Sequence, residues 1–180
     1  MAAIGCNLGI ARRIKDEADV NIVLALKAFS QFSAFAPFKD ILDGTTASGL
    51  YEAQLGAEEF GKHIHTYSPA YDDDEIDALI PIVSHLYFNS VSQLERYYER
   101  IKEKQSDLKI GLRINPQLSL VKNSELYDPS AEGSRFGVLK SELTDDILDK
   151  IDCLHVHNLC ENPAEDTAKL IEHLINNFAE

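Results

Sequence analysis

Three cysteines in 180 residues, none of them spaced as Cys-x-x-Cys, are too few and too odd in number for a disulfide framework. Cys6, Cys153 and Cys160 are therefore read as reduced thiols of a cytoplasmic protein. No apolar stretch approaches the roughly 20 residues that a membrane-spanning helix requires. The start, Met1-Ala2-Ala3-Ile4-Gly5-Cys6, has no charged region ahead of an apolar one, so no signal peptide is expected. Basic residues are scarce: 17 Lys and Arg stand against 30 Asp and Glu, for a net charge of −13. That balance argues against a nucleic-acid binder, because neutralising phosphates needs clustered Lys and Arg. It suits a cationic small-molecule substrate. Solenoid-type self-similarity is lacking too. What remains is an ordinary globular composition, 44% hydrophobic and 26% charged, in a chain long enough for one domain with a core.

The richest segment is Asn21-Ile22-Val23-Leu24-Ala25-Leu26-Lys27-Ala28-Phe29-Ser30. A short apolar run of this kind suits a strand buried on both faces, as in a parallel sheet. Further strands are expected at 40–42, 64–67, 85–88, 109–114 and 153–156, beside the first at 22–26. Helical patterns lie between them at 50–60, 73–80, 92–104 and 143–150, with one before the first strand (8–17) and one after the last (164–178). Ser92-Gln93-Leu94-Glu95 reads as a capping box, Asp73-Asp74-Glu75 puts carboxylates at a helix amino end, and Asn162-Pro163 puts a proline at a helix start. Alternating strand and helix predicts an α/β fold with a parallel sheet, either doubly wound or a barrel. An eight-fold barrel takes about 250 residues, so this length cannot close one. Segment 115–138, with its prolines and Gly133-Ser134-Arg135-Phe136-Gly137, is expected to be a structured loop at the mouth of the sheet.

Chemistry is sought where polar residues meet strand ends. Lys27 closes the first apolar run. Its amine either snorkels to solvent or is kept partly neutral by desolvation, ready for a Schiff base with an aldehyde cofactor. Strand alternation puts Lys27 on one face with Ala25 and Val23, leaving Leu24 and Leu26 toward the helices. By the same rule Arg113 shares a face with Gly111, and Cys153, His155 and His157 share another. Those last three could hold zinc, fill a core, or face a cofactor, although no acidic or histidine partner elsewhere has a recognisable spacing. Asp43 is read as following the second strand in a turn, with Thr46 or Ser48 as helix cap.

Seven motifs occur in order along the chain, beginning with Leu24-Ala-Leu-Lys27-Ala-Phe29, the run from Leu42-Asp43-Gly44 to Leu55-Gly56, and His65-Thr-Tyr-Ser-Pro-Ala-Tyr71. They continue with Phe88-Asn-Ser-Val-Ser-Gln-Leu-Glu95, Gly111-Leu-Arg-Ile-Asn-Pro-Gln117, Tyr127-Asp-Pro-Ser-Ala-Glu-Gly-Ser-Arg-Phe-Gly137 and Leu154-His-Val-His-Asn-Leu-Cys-Glu161. Taken jointly, they resemble the fold-type III family of PLP-dependent enzymes. Within it they resemble most the branch that decarboxylates carboxynorspermidine and carboxyspermidine. The resemblance implies that Lys27 carries pyridoxal 5'-phosphate (PLP), that His157 stacks on its ring, and that Arg113 and Asp43 lie near the same site. Glu52 and Cys160 are looser matches for substrate contacts. It implies a carboxy-lyase releasing norspermidine or spermidine from the carboxylated polyamine, with no metal, no nucleic acid and no membrane, and a homodimer in complete members.

The resemblance also implies what is absent. Six of eight barrel units are represented, so the expected fold is an incomplete (β/α)8 barrel over 1–180. The strand with the glycine-rich phosphate loop, the strand with the acid for the pyridine nitrogen, and the carboxyl-terminal β domain have no counterpart. The phosphate-binding residues are accordingly expected beyond Glu180, and the isolated chain is expected to be inactive. The alternative is a non-catalytic PLP-barrel protein, a cofactor carrier or regulatory partner.

Overall fold

The computed structural model of the protein describes residues 2–121 and 128–178. Lys122 to Tyr127 lie outside the described residues, which removes Tyr127 of the sixth motif from consideration. The strands are β1 (Val23–Ala25), β2 (Gly44–Ala47), β3 (His63–Tyr67), β4 (His85–Phe88), β5 (Lys109–Arg113) and β6 (Cys153–His155). The α-helices are α1 (Ala2–Ala18), α2 (Ala36–Lys39), α3 (Leu50–Leu55), α4 (Asp73–Leu79), α5 (Val91–Lys104), α6 (Asp145–Leu148) and α7 (Ala164–Phe178). The strands form one sheet in the order β1-β2-β3-β4-β5-β6, with β1–β2, β2–β3 and β5–β6 paired in parallel. A doubly wound sheet would reverse its strand order at a switch point, whereas chain order throughout is the singly wound arrangement of a (β/α) barrel. The fold is thus α/β, six units of an incomplete barrel.

The residues fall into two compact units: one runs to Leu86 and includes Arg100–Leu108, the other comprises Tyr87–Glu99 and the chain from Lys109 on. In the first, Leu8 of α1 packs with Leu26, Phe35, Leu42 and Phe60, and Leu24 joins the same cluster. Leu24 and Leu26 therefore face the helices, as alternation requires. In the second, Leu94, Tyr97, Ile110, Leu112, Ile114, Val138, Ile147 and Leu170 are buried.

One strand is not where apolar character puts it. Residues 40–42 form a turn after α2, with the Ile41 and Leu42 amides bonded to Phe38 O, and Leu42 is apolar because it packs in the α1 cluster. The strand is the next segment, Gly44-Thr45-Thr46-Ala47, whose Thr45 side chain is fully buried. Gly44 is required because a Cβ there would run into the His63 backbone. Asp43 consequently precedes β2 instead of following it. Thr46 lies in the strand, and Ser48 caps nothing: its N–H is bonded by Glu52 Oε2 at 2.7 Å.

Helix boundaries differ less. The 50–60 helix becomes α3 and then a π turn over Gly56–Phe60, ended by Gly61 at φ 72°. α4 carries Asp73, Asp74 and Glu75 in its first turn, as expected, and is capped by Asp72 in a reciprocal capping box with Glu75. At α5 the cap lies earlier than Ser92: Ser90 Oγ accepts from the Gln93 N–H, and Gln93 Oε1 accepts from the Asn89 N–H. The helix expected at 143–150 is shorter, Asp145–Leu148. Among the described residues no helix is long and apolar enough to cross a membrane.

Candidate functional site

Lys27 stands in the turn Leu26–Ala28 that leaves β1, closed by the Ala28 and Phe29 amides on Ala25 O at 3.0 and 3.1 Å. Its side chain is exposed. Among the described residues no hydrogen bond or ion pair engages Lys27 Nζ. Two other lysines of the same unit are tied down. Lys15 Nζ donates to Ile41 O and to Asp43 at 2.5 Å, and Lys62 Nζ donates to Lys39 O and, at 2.8 Å, to Leu42 O. The Leu26 amide donates to Thr46 O at 3.0 Å, which sets the exit of β1 beside the end of β2. Glu52, in the first turn of α3, belongs to this same end of the strands.

Asp43 does not. Its carboxylate takes the Ile22 N–H at 2.7 Å and the Lys15 ammonium, at the amino end of β1 and β2. Burial pushes its carboxyl upward, but the Lys15 hydrogen bond, the Ile22 N–H and the Lys15 and Lys62 charges outweigh it, and the group ends below its ordinary value. This placement corrects the reading of Asp43 as following the second strand: with β2 starting at Gly44, Asp43 stands at the amino end of the strands, and Lys27 at the exit of β1.

In the second unit, Arg113 closes β5 and is 6% exposed. Its Nη2 donates to His157 O at 3.0 Å, and its guanidinium lies 4.8 Å from the Phe136 ring centre. The structure thus brings Arg113 and His157 together through the main chain. The His157 imidazole is exposed and meets His155 edge to face at 5.9 Å. Cys160 is an exposed free thiol, and its N–H is bonded by Asn162 Oδ1 at 2.7 Å. Loop 128–138 reaches this end of β5: the Val138 N–H donates to Arg113 O, and the Asn115 N–H to Val138 O. Asn89, just past β4, holds the loop by accepting the Gly137 N–H and donating to Arg135 O.

Away from the helices the strands carry a polar layer that the sequence reading left largely unassigned. In the first unit His65 stacks on His85 at 4.0 Å, and His63 meets His85 edge to face at 6.1 Å. Burial and the two neighbouring imidazoles bring the His65 pKa down to about 4. In the second, the Tyr87 ring lies 5.2 Å from His155, and a Cβ on Gly111 would overlap Tyr87 and come 2.9 Å from Cys153 Sγ. Small residues do sit on this face, as alternation suggests. Burial pushes both the Tyr87 phenol and the Cys153 thiol up, so neither ionises near neutrality. The signal for this layer was present in His63-Ile-His65-Thr-Tyr67, whose polar residues recur with period two. Among the described residues no group of three or more His, Cys, Asp or Glu side chains is placed to hold a metal ion.

In the first unit Lys27 presents an exposed primary amine, a group able to hold an aldehyde; in the second, Arg113 presents a buried, oriented guanidinium bonded to the main chain of the exposed His157.

No family model matches the chain. It is 42% identical over 175 residues to the carboxyaminopropylagmatine decarboxylase of Synechocystis sp., covering 96% of this chain and 44% of that protein. It is 36% identical over 156 residues to the carboxynorspermidine/carboxyspermidine decarboxylase of Herminiimonas arsenicoxydans, covering 87% and 41%. The crystal structure of the Campylobacter jejuni carboxynorspermidine decarboxylase, complexed with norspermidine, superposes with a TM-score of 0.85 at 29% identity, over 99% of this chain and 44% of that one. A diaminopimelate decarboxylase from Helicobacter pylori shares the fold at TM-score 0.69 and 19% identity, over 94% and 48%. The chain spans less than half the length of the curated relatives it matches, and corresponds to their amino-terminal part.

Proposed function

We propose that this chain, whose likeness to the carboxynorspermidine/carboxyspermidine decarboxylases extends over nearly its whole length, carries the lysine-bearing part of a PLP-dependent carboxy-lyase of polyamine biosynthesis. The observation that carries the reading is Lys27: an exposed amine just beyond the first strand of a barrel-ordered sheet, at the end of the strands where barrel enzymes keep their chemistry. Bound PLP would supply the electron sink for the pair left behind when carbon dioxide departs. Lys27 Nζ would tether the aldehyde and serve as the amine that hands a proton back to carbon. His157 would lay its imidazole against the ring and exclude water from that face. Arg113 would present a fixed positive charge, because His157 O and Phe136 already hold its guanidinium. Glu52 and Cys160 are proposed to contact substrate. Asp43 has no part in this proposal.

The substrate class is a carboxylated aminopropyl amine, a small cation fitting the acidity of the chain. Carboxynorspermidine and carboxyspermidine are the first candidates, and the name of the Synechocystis relative adds carboxyaminopropylagmatine. The complete protein is proposed to be a cytoplasmic homodimer. The test is to mix the chain with PLP, follow the aldehyde–amine absorbance, reduce with borohydride and map the labelled peptide. Label on Lys27 is expected. Label on Lys62 or Lys15 instead, or none on any lysine, would overturn the assignment. In a complete form of the protein, carbon dioxide release from the three substrates then ranks them, and PLP binding without turnover there would favour a non-catalytic PLP-barrel protein.

A further inference from the structure

His157 and the residue after it are treated very differently by the fold. The imidazole of His157 is exposed, while Asn158 is 5% exposed. Beyond β6 the chain has no ladder to define it, so the direction in which His157 presents its ring depends on a few side-chain bonds. One is the Arg113 hydrogen bond to His157 O at 3.0 Å. Asn158 makes the next, with Nδ2 donating to Leu118 O at 3.1 Å.

Leu118 belongs to a segment whose alternate carbonyls are all taken by side chains from this region. His173 Nε2 of α7 meets Pro116 O at 2.8 Å, Asn158 holds Leu118 O, and Asn162 Nδ2 donates to Leu120 O at 2.9 Å. Segment 116–120 is therefore strapped to the β6 exit and to α7 by three separate donors. The orientation of the Asn158 amide is fixed by this arrangement, because a carbonyl oxygen accepts only from a donor and a flipped amide would set oxygen against oxygen. The other half of the amide shows the cost: Asn158 Oδ1 is buried with no hydrogen-bond partner among the described residues. A residue with an unmet buried acceptor is a poor choice for packing alone.

We propose that Asn158 is a positioning residue which, through its bond to Leu118 O, fixes the main chain that presents the His157 imidazole. The inference rests on the reading of His157 as the imidazole facing the cofactor. Its structural content is independent of whether PLP binds.

The test uses the 180-residue chain labelled with ¹⁵N, comparing Asn158→Ala and the near-isosteric Asn158→Asp with Asn162→Ala as control. Asn162→Ala removes a bond to the same strap but not the one adjoining His157. In both Asn158 variants the amide order parameters of residues 156–158 should fall from about 0.85 to below about 0.6, while Asn162→Ala leaves them unchanged. In the protein that turns over substrate, the Asn158 variants should lower kcat by up to about 100-fold at nearly constant KM. Unchanged order at 156–158, or equal loosening by Asn162→Ala, would overturn the proposal and leave the Lys27 assignment standing. Loosening as expected with no label on Lys27 would support the geometry and refute the cofactor reading.

Discussion

The two ends of the strands are built on opposite principles. At the amino ends the same device occurs three times. Asp43, Ser84 and Asp152 each precede a strand and donate their own N–H to the carbonyl of an isoleucine in, or immediately ahead of, the strand before, respectively Ile22, Ile64 and Ile110. Each then accepts that isoleucine's N–H on its side-chain oxygen, at 2.7, 2.9 and 2.9 Å. Lys15 and Lys109 complete the two carboxylates at 2.5 and 2.8 Å. Polar groups here are consumed by the fold. At the carboxyl ends Lys27 and His157 are exposed. The difference teaches how to tell a structural charge from an available one: Lys15 Nζ already makes two hydrogen bonds, and Lys27 Nζ makes none among the described residues.

Lys27→Ala gives the largest expected contrast. It should abolish borohydride-stable labelling, yet shift unfolding free energy by less than about 0.5 kcal/mol, because an exposed turn side chain contributes little packing. A large drop in stability would blur the distinction between the two ends. His157→Gln comes next, with turnover of the complete enzyme cut by about 10- to 1000-fold, or about 1.4 to 4 kcal/mol of transition-state stabilisation, and the urea midpoint nearly unmoved. If His157 serves only to fill the interior, the pattern inverts. Asp43→Ala should do the reverse of both, costing about 1.5–3 kcal/mol of stability, since it strands the Ile22 N–H and leaves the Lys15 ammonium with Ile41 O but no carboxylate. Its labelling at Lys27 should persist in the folded fraction. Loss of label without loss of stability would return Asp43 to the cofactor.

The smallest effect lies mid-strand. His65 has a folded pKa of about 4 against about 6.5 when unfolded. Between those values the unfolded chain binds more protons, so stability is full above about pH 6.5 and is lost as pH falls toward 4. Water reaches part of the ring, and the expected loss is about 1–2 kcal/mol, less than the full shift implies. Urea midpoints at pH 7.5 and 4.5 should differ accordingly, and His65→Gln should flatten that part of the curve.

Much of this was legible in the sequence. The apolar run ending at Lys27 and the periodic helices located five of the six strands, and α7 begins at Ala164 and ends at Phe178, as its pattern indicates. The second strand was misplaced because burial and strand character come apart there. Ile41 and Leu42 are apolar for the α1 cluster, while β2 uses glycine and threonine where backbones approach closely. That error put Asp43 after the second strand, where the structure has it before. Lys27, Arg113 and His157 are proposed on motif; Asn158 was passed over, since a lone asparagine in a loop has no signature until the carbonyl it serves is visible. Nor did alternation, applied to β1, β5 and β6, reach the His65–His85 stack, which needs two strands in register.

The isoleucine clamps also bear on the order of assembly. Each closes a loop: 21 residues from Ile22 to Asp43, 20 from Ile64 to Ser84, and 42 from Ile110 to Asp152. Doubling a loop adds only about 0.6 kcal/mol of closure entropy, so the third clamp is scarcely costlier than the first two. Their short range favours local zippering, in which each strand captures its predecessor soon after leaving the ribosome.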